Sequence, residues 1–226
     1  MKLQYVLLPG QRPHPEMREL YQQVYKFWES IWEVTFNELG KSDEYLKSDA
    51  FTRQDYVGAV LSDGKCMGLC FYRILDASMP TTLKDSYFSN WGETHIRKLR
   101  SRGDKIVVMG NLTVSPEARG TKLGFSMKDL ILGTAAKVFT WLEADAMTLA
   151  PRKDKNVQRA CALWGAETIA SEIPSGHGDV NVELMSFFQD VVQSSQRPEL
   201  AALVDSLWEN RLEVPYYTHE IEKWAA

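Results

Sequence analysis

Asn111-Leu112-Thr113-Val114-Ser115-Pro116-Glu117-Ala118-Arg119-Gly120-Thr121-Lys122-Leu123-Gly124-Phe125 is the most informative stretch of the chain. An apolar run from Lys105 to Val114 reads as a strand, and Gly110-Asn111 inside it suggests a bulge. Ser115 to Gly120 is a loop. A helix follows, opening at a Gly, with Leu123, Met127, Leu130, Ile131, Thr134, Ala135 and Val138 on one face. Unpaired N–H groups at a helix start form a phosphate site. Gly120 and Gly124 let an anion approach the backbone, and Arg119 and Lys122 add positive charge.

Before this stretch, Lys2 to Leu8 reads as a strand, and an amphipathic helix runs from Glu16 toward Gly40. Tyr56 to Leu61 and Lys65 to Leu75 are two strands joined at Ser62-Asp63-Gly64, a hairpin signal. After it come a short strand (Ala146 to Ala150), a helix (Asn156 to Trp164, stopped by Gly165) and a strand pair (Glu167 to Ile173, Val180 to Phe187). Pro198 opens a last helix, and the aromatic tail from Glu213 shows no pattern. This order predicts an α/β (α+β) layer protein with a mixed sheet.

Composition narrows the class. The chain has 226 residues, 26 Lys plus Arg, 30 Asp plus Glu and a net charge of −4. With 44% apolar and 25% charged residues it is an ordinary globular chain, long enough for a sizeable core. The acidic balance gives no electrostatic reason for nucleic-acid binding. No apolar run reaches the length of a membrane span, and the N-terminus lacks the pattern of a secretory signal. A cytoplasmic location is expected. Cys66 and Cys70 share a strand face about 13 Å apart, beyond the ~7 Å a disulfide allows. Four scattered histidines and three cysteines show no metal-ligand spacing, so no metal site is expected.

Arg119 to Gly124 resembles the pyrophosphate-binding motif of the GCN5-related N-acetyltransferase (GNAT) superfamily, Gln/Arg-x-x-Gly-x-Gly/Ala, with Lys122 in place of the first Gly. The order of elements over about residues 21–187 is also similar. The resemblance implies a mostly antiparallel sheet with a splayed central strand, flanked by helices. It implies acetyl-CoA or a longer acyl-CoA as co-substrate, held by Leu112, Thr113, Val114, Arg119, Gly120, Thr121, Lys122, Leu123, Gly124, Phe125 and Asn156. The backbones of Leu112 and Val114 are the expected partners of pantetheine. The implied domain spans 1–190, with 191–226 as a C-terminal helical extension packed on it or at a dimer interface.

The implied activity is transfer of an acyl group to a primary amine by direct attack in a ternary complex. The family's Tyr four residues before the Gly of the second motif, general acid for the thiolate, falls on Cys161, which also reads as a buried small residue. His177, in a Gly-rich loop, is a candidate base beside Glu172 and Glu183. Gly68 to Arg73 with Pro80 and Leu83, and Trp32-Glu33-Val34, resemble the acyl-homoserine-lactone and N-acyl amino acid synthase branch, which implies acyl carrier protein as an alternative donor. That branch's charges are missing near Val108 and Asn111. Tyr25, Phe27, Trp28, Trp32 and Phe36 lie at helical spacing, as a core face or an acyl pocket. A third expectation is a non-catalytic CoA-binding module.

Overall fold

The computed structural model describes residues 1–41, 46–89, 91–121, 123–174, 180–189 and 198–215. His177 and Lys122 therefore lie outside the described residues. Eight strands form one sheet in the order β6-β7-β5-β4-β3-β2-β1-β8. They are β1 (Leu3–Pro9), β2 (Tyr56–Ser62), β3 (Lys65–Asp76), β4 (Lys105–Val114), β5 (Ala146–Leu149), β6 (Glu167–Pro174), β7 (Asn181–Phe188) and β8 (Leu212–Glu213). Only β4–β5 and β1–β8 are parallel, so the sheet is mixed and mostly antiparallel.

Turn chemistry and patterning explain the order. Asp63 and Gly64 both take positive φ (47° and 82°), the two-residue turn whose twist matches a hairpin. Asp63 also accepts the Lys2 N–H at 2.9 Å, tying the turn to the start of β1. The strands alternate their side chains between two cores. On one face lie α4 (Met127–Trp141), α5 (Val157–Leu163) and α6 (Pro198–Glu209), over Cys70, Val107, Met109 and Met147. On the other lie α1 (Arg18–Glu38) and the short α2 (Asp49–Thr52), over Val6, Leu8, Val57 and Phe71. Farther along that face, α3 (Glu93–Leu99) and the segment around Phe88 cover Ile106 and Ala146.

Two details differ from the sequence expectations. First, α4 starts at Met127 rather than near Gly124, because Ser126 takes the capping place and its Oγ accepts the Asp129 N–H at 3.3 Å. Gly120 and Gly124 instead adopt φ of 74° and 83° in the preceding loop, and a Cβ at either would meet nothing within 4 Å. Their backbone conformation, not close packing, calls for glycine there. Second, the tail contributes β8, which runs parallel to β1 and is closed by Val214 N–H on Leu7 O at 2.9 Å. A two-residue strand leaves no periodicity to read. The last helix, α6, packs into the main core through Leu200, Val204 and Leu207, and its Asp205 pairs with Lys137 of α4 at 2.5 Å.

Candidate functional site

The centre of the sheet is where its regularity fails. β4 pairs with β5 only over Ile106↔Ala146, Val107↔Met147 and Val108↔Thr148. β4 then continues to Val114, whereas β5 ends at Leu149, one residue before the Ala150-Pro151 exit. Past Val108 the two strands part. The cause lies in β4 itself. Its register against β3 slips by one between Phe71↔Gly110 and Leu69↔Thr113, so Asn111 and Leu112 together oppose Cys70. Asn111 carries the bulge at φ 51°, a conformation that Asn tolerates better than most residues.

Two tryptophans of α1 hold the bulge. The Trp28 indole donates to Asn111 Oδ1 at 3.2 Å, and the Trp32 indole donates to Thr113 Oγ1 at 2.9 Å. Thr113 Oγ1 donates in turn to Asn111 O at 2.7 Å. A buried indole needs an acceptor, and the bulge supplies two. Sequence periodicity registers such residues only as an apolar face; the polar handle becomes visible once β4 is seen to lie beneath them. Trp28, fully buried, belongs to the core with Phe51 and Phe71, whereas Trp32 also borders the opening.

The parting of the strands opens a cleft of about 510 Å³. It is lined from the α1 side by Ile31, Trp32 and Thr35, and from the opposite face by Ser126, Met127 and Val157, so it passes through the sheet. Leu112, Thr113 and Val114 form one wall, with Ala150 and Pro151 opposite. Ser115 N–H donates to Met67 O at 2.9 Å on the β3 side. Backbone groups alternate sides along an antiparallel strand, so those of Val114 and Leu112 turn toward the cleft, where β5 no longer pairs with them. An exposed strand edge of this kind takes up an extended amide chain.

The cleft's mouth is basic. Among the described residues, Arg119, Lys128, Arg152 and Lys155 line it against one carboxylate, Glu38. Lys128 Nζ reaches Asn156 O at 3.1 Å, while Arg152 and Lys155 both face Asp154, at 2.7 and 3.7 Å. Three of these cations carried no signal in the sequence, because they become neighbours only when α4 and the loop after β5 converge.

The remaining candidates are placed as follows. Arg119 and Gly120 line the cleft; Thr121, Leu123, Gly124 and Phe125 complete the loop into Ser126. Leu123 and Phe125 pack against the main core. Asn156 sits at φ 52° before α5, exposed, with its carbonyl on Lys128. Cys161 has no solvent exposure, lies in the main core and does not border the cleft. Burial pushes its thiol up to about 12. Glu172 is engaged by Lys153 and by Asn181 Nδ2 at 2.8 Å, and Glu183 accepts from Thr168 Oγ1 at 3.4 Å; neither borders the cleft. Arg73 pairs with Asp85 at 2.7 Å, and Asp85 also caps the Tyr87 N–H at 2.9 Å.

No family model and no curated protein matches this sequence. Solved structures do match its fold. A CoA-dependent acyl-homoserine lactone synthase, BjaI, in complex with MTA, aligns with TM-score 0.59 at 8% identity over 96% of each chain. FeeM, an N-acyl amino acid synthase from uncultured soil microbes, aligns with TM-score 0.55 at 9% identity over 83% of this chain and 90% of its own. A putative N-acetyltransferase from Lactobacillus plantarum aligns with TM-score 0.51 at 14% identity over 83% of this chain and 99% of its own. The mixed sheet, its split centre and its two helical layers are thus the GNAT fold.

Proposed function

We propose that the protein is an acyltransferase that moves an acetyl or longer acyl group from a CoA thioester to a primary amine. The observation that carries this is the split between β4 and β5: a cleft through the sheet, edged by the backbone of Leu112 and Val114 where β5 no longer pairs with it, and lined by cations. Pantetheine is an extended chain with two amides, and it fits that edge as an added strand. Its pyrophosphate would meet Arg119 and the glycine loop, where guanidinium geometry suits phosphate oxygens. The same fold in a CoA-dependent synthase and in an N-acyl amino acid synthase supports the reading.

The chemistry asks little of any one residue. A free amine attacks the thioester carbonyl carbon; a C–N bond forms, the C–S bond breaks, and sulfur leaves with the electron pair. Holding donor and acceptor on opposite openings of one cleft brings the reacting atoms together, which is the main acceleration open to such a reaction. The carbonyl oxygen, as it gains charge, needs a donor, and the N–H groups of β4 beyond the bulge are fixed for that role. Water or a side chain takes the amine proton.

Calorimetric titration with acetyl-CoA, a long-chain acyl-CoA and free CoA tests this. Saturable binding of a thioester is expected, and Arg119→Glu should weaken it about tenfold or more by reversing the charge at the phosphates, with the melting temperature unchanged. Equal affinity in that variant would show that the phosphates lie elsewhere. Binding without turnover on a broad amine panel would mark a CoA-binding module instead of an enzyme. Binding confined to a carrier-protein thioester would change the donor.

A further inference from the structure

The wall that α1 gives to the cleft is opposite in charge to the cations that line the rest of it. Ile31, Thr35 and Glu38 recur at four- and three-residue spacing with Trp32 beside them, so one face of the last two turns lines the opening. Trp28 and Trp32 bond to Asn111 and Thr113 of β4, which seats this part of the helix on the bulge. From Trp32 to Glu38 is about 9 Å along the helix axis. The helix end is fixed by its own backbone. Gly40 turns at φ 65°, its N–H donates to Asn37 O at 3.1 Å, and Lys41 N–H donates to Phe36 O at 2.9 Å. This glycine cap holds the chain directly after Glu38.

Glu38 is badly placed both for stability and for the donor. A carboxylate in the last turn meets the negative end of the helix dipole. That turn holds no basic residue, and Glu38 has no hydrogen bond or ion pair among the described residues. Arg152 and Lys155, which line the same cleft, are already turned to Asp154. In a cleft that takes polyanionic CoA, the charge of Glu38 also repels the phosphates. A second substrate that brings positive charge accounts for both costs. The rest of the wall agrees. Thr35 Oγ1 is spent on Ile31 O at 2.9 Å, and the Trp32 indole N–H on Thr113 Oγ1 at 2.9 Å. What α1 leaves for a ligand is the Ile31 side chain, an indole ring, whose face attracts cations, and one carboxylate.

We propose that the acceptor is a primary amine with a second cationic nitrogen, and that Glu38 holds this second nitrogen while the first attacks. This rests on the acyltransferase function proposed above. A carboxylate favours the protonated form of a nitrogen beside it, and a protonated nitrogen has no lone pair to give. The attacking amine therefore sits away from Glu38, toward Trp32 and the β4 bulge. The distance of about 9 Å between the two places suits an alkyl diamine lying along Ile31 and Trp32. An amine whose far end is a carboxylate would set two like charges together at Glu38. Glu38 thus selects the acceptor and takes no proton in the reaction.

The test needs no turnover. Intact protein saturated with free CoA is titrated calorimetrically with hexylamine, terminal diaminohexane and terminal aminohexanoate. The three share one primary amine and one chain length, and differ only at the far end. In the wild type diaminohexane should bind about fivefold tighter than hexylamine, and aminohexanoate should bind weakest. Added salt should shrink that preference. In Glu38→Gln the preference should fall to about twofold, the statistical gain of two identical ends, while free CoA binds no more weakly than before. The variant should melt no lower than the wild type, since it loses no bond and relieves the helix end. No binding of diaminohexane, binding equal to that of hexylamine, or a preference unchanged in Glu38→Gln would overturn the role of Glu38 while leaving the donor cleft in place. Tightest binding of aminohexanoate would overturn it in favour of an anionic acceptor. Failure of the wild type to bind CoA would overturn the donor cleft and this inference with it.

Discussion

At the scale of single residues, Asn111 decides the most. It supplies a left-handed backbone where β4 must gain a residue, and an acceptor for Trp28. Asn111→Ala should cost about 2–3 kcal/mol, combining αL strain with an unsatisfied buried indole. Asn111→Gly removes only the second contribution and should cost less; denaturant unfolding measures both, and an order reversed would separate the bulge from its φ angle. The three cysteines illustrate the opposite case, residues whose chemistry the fold silences. Burial pushes the thiols of Cys66, Cys70 and Cys161 up to about 12. An unfolded thiol ionises near 8.5, so the protons these groups keep stabilise the fold at neutral pH. Stability should fall as pH rises from about 8.5 toward about 12, and a thiol reagent at pH 8 should find all three cysteines slow until the chain unfolds. A fast native thiol would contradict this burial. Cys161→Ala should cost about 1 kcal/mol and leave acetyl-CoA affinity unchanged.

At the scale of elements, the loop between β4 and α4 carries the proposed phosphate site, and its end is hidden from apolar spacing. That spacing alone extends the helix back to Leu123; the Ser126 cap, which the spacing ignores, stops it at Met127. Ser126→Ala should lower stability by about 1 kcal/mol in thermal unfolding. Because that loop carries Arg119 and Gly120 into the cleft, the same variant should also weaken CoA binding several-fold; an unchanged affinity would show that the loop holds its shape without the cap. The hairpin at Asp63-Gly64, the α1 stripe and the β4 bulge were all legible, since each is written in local turn chemistry or periodicity. The cations Lys128, Arg152 and Lys155, the acceptors of the two indoles and the Tyr87–Thr148 contact were not. They join residues 28, 61 or more than 80 positions apart, and only the sheet order brings them together.

At the scale of the molecule, the order of strands and helices was enough to give the layered fold, because each strand's alternation and each helix's stripe must find a core. The role of the C-terminal region was not legible. In the structure α6 packs on α4: Gly133 of α4 leaves room for Trp164 and Val204, with a Cβ there placed 2.5–2.6 Å from both. Gly133→Leu should destabilise the whole protein by about 2–3 kcal/mol by forcing α5 and α6 off α4. The two cores meet only across the sheet, and the β4–β5 split is the opening between them. That split as the seat of a CoA thioester is the central claim. Amide hydrogen exchange with and without saturating acetyl-CoA tests it most directly. Binding should slow exchange at Leu112 and Val114, whose N–H groups have no strand partner on the cleft side, while Ser115, already bonded to Met67, changes little. Binding with no protection at Leu112 and Val114 would contradict the account.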